Sequence, residues 1–150
     1  MCGFFGTFSS DGKINEGQSN LVSLSHRGPD SQKRYQDNFL NGEFFRLNII
    51  GGKSADQPMV SYDKNLVMFF NGEIYNYIEL AKDYNVSPKI GDSRVAIELF
   101  SKFGVEIVKK FNGMFSIVLY NKKYKTLHLI RDRLGTKPLY YTKKKNYIFF

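Results

Sequence analysis

Cysteine, tryptophan, histidine and proline are the scarce residues of this 150-residue chain, at one, none, two and four copies. A single cysteine, Cys2, excludes an internal disulfide framework and a four-cysteine zinc site, so its thiol acts alone or not at all. His26 and His128 stand far apart in sequence and make no metal-ligand cluster with it, and no G-x-x-x-x-G-K-[ST] loop is present to cradle a phosphate. No metal and no cofactor are expected in this domain. No apolar run approaches the roughly 18 residues of a membrane span, and the opening MCGFFGTFSSDGK has neither a basic leader nor a signal-peptide core. The expectation is a cytoplasmic protein without a membrane partner.

What is present fits one globular domain. Apolar residues make up 42% and charged residues 24%, which excludes a disordered or fibrous chain. Fourteen Phe and ten Tyr favour sheets packed face to face over a helical bundle. The net charge of +8 invites a nucleic-acid reading, but it is unevenly spread. Residues 1–106 hold eleven Lys/Arg against thirteen Asp/Glu, whereas residues 107–150 hold eleven against Asp132 alone. Six of the nine lysines in that last third fall in two expected hairpin turns, NKKYKT and TKKKN, where solvated charge is ordinary turn chemistry. No nucleic-acid partner is inferred.

Phe4–Phe8 reads as a short strand near the terminus, and Gly17–Leu24 as a short helix stopped by Gly28-Pro29. Gly42–Ile50 and Leu66–Phe70 are apolar runs of strand length, joined by a loop with Gly51, Gly52 and Pro58; the second ends at Asn71-Gly72, a strong turn dipeptide. From Asp92 the period becomes helical: Val95, Ala96, Leu99, Phe100 and Phe103 share a face, with Asp92 or Ser93 as N-cap and Gly104 as terminator. A second short helix spans Val105–Phe111. Strands are expected at Met114–Tyr120, Thr126–Arg131, Pro138–Thr142 and Asn146–Phe150. The continuous run FSIVLY suggests strands covered on both faces, hence sheets between helices.

Removal of Met1 would leave Cys2 with a thiol and a free α-amine on one residue, a nucleophile with its own base. A retained Met1 would block that amine. Taken alone, position 2 reads as a small hydrophobe beneath the first strand.

Four separated segments alter that balance: MCGFFG at 1–6, SHRGPD at 25–30, FNGEIYNY at 70–77 and RDRLGTKPLYY at 131–141. Their order and spacing resemble the glutamine-hydrolysing domain of class II glutamine amidotransferases, nearest the asparagine synthetase branch, over essentially the whole chain. The resemblance implies an N-terminal-nucleophile hydrolase fold, an α+β, four-layer αββα sandwich of two mostly antiparallel sheets. It also implies L-glutamine as substrate and a thioester at Cys2, with the Asn71 side chain and the Gly72 N–H as oxyanion donors. Arg46 would clamp the α-carboxylate, while Glu73, Asp92 and a backbone carbonyl at Ile50 would hold the α-ammonium. Taken singly, Asn71-Gly72 is a turn, Arg46 a snorkelling surface arginine and Asp92 a helix cap. His26 is expected to order its loop, as are Arg27 and Asp30. Arg131, Asp132 and Arg133 are expected to form an ion network, and His128 to be a strand side chain without chemical duty.

The chain departs from the family pattern at Arg94, which puts a cation near the presumed ammonium site, at Phe44-Phe45, and at Gly51-Gly52. It also stops at Phe150, inside the last expected strand. The expectation is therefore a glutaminase domain truncated at its C-terminus, its ammonia-accepting synthetase domain or subunit elsewhere and ATP and Mg used only there; a homodimer is compatible. The competing expectation is a catalytically silent domain of the same fold, serving as a binding or assembly module.

Overall fold

A computed structural model describes residues 2–14, 24–47, 55–89 and 91–150. Its strands are β1 (Gly3–Ser9), β2 (Ser31–Gln36), β3 (Leu40–Arg46), β4 (Met59–Val60), β5 (Leu66–Ile74), β6 (Gly113–Asn121), β7 (Thr126–Arg131), β8 (Thr142–Lys144) and β9 (Tyr147–Phe149). Two α-helices, α1 (Tyr77–Asp83) and α2 (Asp92–Phe103), and a 3-10 helix at Val105–Lys110 lie between β5 and β6.

The strands form two sheets, ordered β2-β3-β1-β9-β8 and β4-β5-β6-β7, with every neighbouring pair antiparallel. Side-chain alternation along β5 explains how they stack. Val67 and Phe69 point to one side and meet Phe8, Leu40, Phe44, Val118 and Tyr120 in the core shared by the two sheets. Leu66, Met68 and Phe70 point to the other and meet Val95, Ala96, Leu99 and Phe100 of α2. Both faces of the central strands are thus covered, which is why Ile117–Tyr120 of FSIVLY is an unbroken apolar run. Each Phe or Leu sealed this way contributes about 1.5–3 kcal/mol relative to leaving it in water. The fold is an α+β sandwich. The expected Gly17–Leu24 helix lies almost wholly outside the described residues.

Several boundaries differ from the sequence expectations. The strand expected to end at Phe70 runs on to Ile74, because the ladder with β6 continues through Asn71↔Ser116, Gly72↔Phe115 and Ile74↔Gly113. Asn71-Gly72 is therefore not a turn. The Pro138–Thr142 strand is absent: residues 132–141 are irregular and β8 begins at Thr142, so Lys143 and Lys144 lie in a strand rather than a turn. The α2 N-cap is Gly91, not Asp92 or Ser93, and Phe103 is half exposed, covered on one side by the Tyr84 ring. Gly104 ends α2 with φ of 74°, as expected. Strands β2 and β4 and helix α1 were not anticipated.

Candidate active site

Cys2 stands immediately before β1, the middle strand of the five-stranded sheet. Its half-buried Sγ accepts from the Leu47 N–H at 3.4 Å and donates to the Leu47 carbonyl at 3.6 Å, which holds the thiol beside the end of β3. Arg46, the last residue of β3, is buried rather than snorkelling. Its Nη1 meets Asp56 Oδ1 at 2.8 Å, and the other Asp56 oxygen meets Lys33 Nζ at 2.7 Å. Burial works against the Asp56 carboxylate, but the Lys33 and Arg46 bonds prevail and hold its pKa below the ordinary value.

The second wall is the edge of β5. Strand β4 pairs only with Val67 and Met68, so β5 beyond them is not covered by that neighbour. Along a strand, successive N–H groups alternate between edges. The Phe70 N–H points to the Gln57 side chain at 2.6 Å, and the Ile74 N–H to Asp92 Oδ2 at 3.0 Å. The Gly72 N–H, halfway between, therefore faces the same edge. Gly72 has φ of 155°, and a Cβ there would lie 2.1 Å from the Met114 carbonyl oxygen, so only glycine fits this close approach to β6. Asn71, 7% exposed, precedes it.

Asp92 opens α2, where the helix dipole favours an anion. Burial raises its pKa and the negative charge of Glu73 adds to this, while hydrogen bonds from the Ile74 and Ser93 amides oppose the rise. Glu73 is exposed.

These pieces surround one cavity of about 160 Å³, lined by Cys2, Arg46, Asn71, Gly72, Glu73 and Asp92 among others. All the expected site residues are brought together except Ile50, which lies outside the described residues, as do Met1 and Gly51-Gly52. Arg94 turns away: its guanidinium bonds the Val60 carbonyl at 2.8 Å and Glu98 at 3.0 Å, and lies over the Tyr62 ring. A thiol, an N–H edge, one arginine and two carboxylates at a single hollow suit attack on an amide carried by an α-amino acid.

Lys137 was missed. It lines the same cavity, only 7% exposed, and its main chain is fixed on both sides: its N–H donates to Asp132 Oδ2 at 3.0 Å and its carbonyl accepts from Arg131 Nε at 3.1 Å. Its position in RDRLGTKPLYY was the available signal. The expected ion network is replaced by a different device. Asp132 accepts the backbone N–H groups of Phe115, Leu134, Thr136 and Lys137, while Arg131 and Arg133 bond carbonyls. Burial pushes the Asp132 carboxyl up, but these four amides outweigh it and bring its pKa down to about 2.

A neighbouring, largely apolar cavity of about 270 Å³ shares Cys2 and Asn71, and there exposed His26 stands with Phe4, Leu139 and Phe150. His128 is a half-buried side chain of β7 opposite Leu119. Among the described residues no three His, Cys, Asp or Glu side chains gather to hold a metal, and no helix is long and apolar enough to cross a membrane.

A family model described as a glutamine amidotransferase domain matches residues 1–150. Asparagine synthetase [glutamine-hydrolyzing] 1 of Bacillus subtilis (strain 168) is 35% identical over 161 residues, covering 100% of this chain and 25% of that protein. The putative asparagine synthetase [glutamine-hydrolyzing] 2 of Methanocaldococcus jannaschii is 34% identical over 163 residues, covering 94% of this chain and 32% of the relative. Asparagine synthetase [glutamine-hydrolyzing] 1 of Arabidopsis thaliana is 35% identical over 148 residues, covering 93% and 25%. The chain thus spans roughly a quarter to a third of the length of these relatives. With its two antiparallel sheets, its cysteine at the head of the middle strand and this match from end to end, the chain belongs to the class II glutamine amidotransferase domain family.

Proposed function

We propose that this domain hydrolyses the side-chain amide of L-glutamine to glutamate and ammonia through a thioester at Cys2, and that the ammonia feeds an asparagine synthetase-like amidation on a separate synthetase domain or subunit. The observation that carries the reading is the convergence of Cys2, Asn71, Gly72, Arg46, Glu73 and Asp92 on one cavity.

Once Met1 is removed, the α-amine of Cys2 takes the thiol proton and Sγ adds to the amide carbon. The negative charge that develops on the amide oxygen is met by the Asn71 side-chain amide and the Gly72 N–H, donors fixed in a strand and needing no rearrangement as the reaction proceeds. The protonated amine then gives its proton to the departing nitrogen, ammonia leaves, and a thioester remains. Water, its proton taken by the same amine, adds to the thioester and releases glutamate. Arg46, and Asp92 with Glu73, match in charge the carboxylate and ammonium of a free amino acid, which disfavours a peptide substrate.

The test is glutamate release from L-glutamine by the wild-type protein, shown by mass to have lost Met1, and by Cys2→Ala. The expected outcome is release by the first and none by the second; equal release would overturn the mechanism.

A further inference from the structure

We propose that Asp56, backed by Lys33, is a positioning residue that aims Arg46 at the α-carboxylate of the substrate; this rests on the glutamine reading above. Ala55 and Gln57 line the cavity, whereas the carboxylate of the residue between them reaches Arg46 Nη1 at 2.8 Å. A guanidinium is a rigid planar fork of five N–H donors. Bonding one nitrogen to a fixed carboxylate orients the whole plane.

Asp56 is itself held firmly. The side-chain amide of Gln57 pairs twice with the main chain of Phe70, donating to its carbonyl at 3.0 Å and accepting its N–H at 2.6 Å. The segment carrying Asp56 is thereby tied to the strand that carries Asn71 one residue later, so the carboxylate clamp and the oxyanion edge share one frame. Lys33 reaches the second Asp56 oxygen from β2, the strand paired with β3.

Charge points the same way. Arg46 is buried, and a buried cation without a counter-charge is costly, so Asp56 offsets its desolvation. Burial works against the Asp56 carboxylate, but the hydrogen bonds it accepts from both cations hold its pKa below the ordinary value.

The experiment measures ammonia release from L-glutamine and from L-glutaminamide, whose α-carboxylate is replaced by a neutral amide, by the full chain after loss of Met1. For L-glutamine, Asp56→Asn is expected to raise KM about tenfold, the loss of one hydrogen bond to a charged group, with kcat within about twofold of wild type. For L-glutaminamide the same variant is expected to match wild type. Lys33→Gln, at a side chain 53% exposed, is expected to raise KM for L-glutamine about twofold and to spare L-glutaminamide. This variant keeps the proposal testable should Asp56→Asn prove unfolded by thermal melting. An unchanged or lowered KM for L-glutamine, or equal losses on both substrates, would overturn the proposal. A wild-type protein inactive on both substrates would instead overturn the glutamine reading, and the positioning role with it.

Discussion

Replacing Asp132 by alanine removes the shared acceptor of four backbone N–H groups, from Phe115, Leu134, Thr136 and Lys137, at 2.9–3.1 Å. Each bond contributes about 1–1.5 kcal/mol net. The residue is only 6% exposed, so water replaces the lost acceptor poorly, most of all at the buried Phe115 and Lys137 amides. The expected loss for Asp132→Ala is about 4–6 kcal/mol, a large part of the roughly 5–15 kcal/mol by which a domain is stable. Asparagine keeps one carbonyl oxygen and so two of the four bonds, and Asp132→Asn is expected to cost about half as much. Urea unfolding followed by circular dichroism reads both as shifts in midpoint at constant slope. The acid limb gives an independent check. The folded pKa of about 2 lies below the unfolded value, so this stabilisation is fully present above about pH 4 and is lost as pH falls toward 2. Wild type should lose on the order of 1–2 kcal/mol over that interval, solvent screening allowed for, and Asp132→Asn should lose less. Stability of Asp132→Ala within about 0.5 kcal/mol of wild type would refute the reasoning.

Two further outcomes follow from the proposed chemistry. Asn71→Ala is expected to lower kcat by about 10²–10³ while KM for L-glutamine changes little, because the side-chain amide meets charge that exists only in the transition state; steady-state kinetics check this, and a loss confined to KM would contradict it. Asp92 must be ionised to hold an ammonium, and burial has raised its pKa. KM for L-glutamine should therefore begin to climb on acidification at a higher pH than an ordinary aspartate would impose, and Asp92→Asn should show a high KM without that inflection.

The elements legible in the sequence were those whose pattern and packing agree. Helix α2 shows its period because one face packs on β5, and β6 shows the apolar run Ile117–Tyr120 because both of its faces are covered. Strand β2, SQKRYQ, gives no sequence signal because it is a polar strand that, among the described residues, pairs with β3 alone. The extension of β5 through Asn71-Gly72 was misread because local turn preference yields to a ladder that runs to Ile74↔Gly113. At the site, single residues carried little information. Arg46 and Asp92 taken alone read as surface arginine and helix cap, and motif order assigned them otherwise. Asp56 and Gln57 belong to none of the quoted motifs, and their roles arise from contacts across sheets and loops that no local spacing encodes.

The middle slot held by β1 also bears on biogenesis. Its two neighbours arrive at very different times: β3 some forty residues later, and β9 only after about 140 residues have been made, with Thr7 facing Phe149 across that join. Closing so long a loop is entropically slow, and until it closes one side of β1 is a bare edge able to recruit another chain. The strand that presents the thiol is thus among the last to be completed. The setting of Cys2 is coupled in this way to a finished sheet, since the cavity that Cys2 shares with Asn71 and Phe4 is also lined by Phe150, the residue that follows β9.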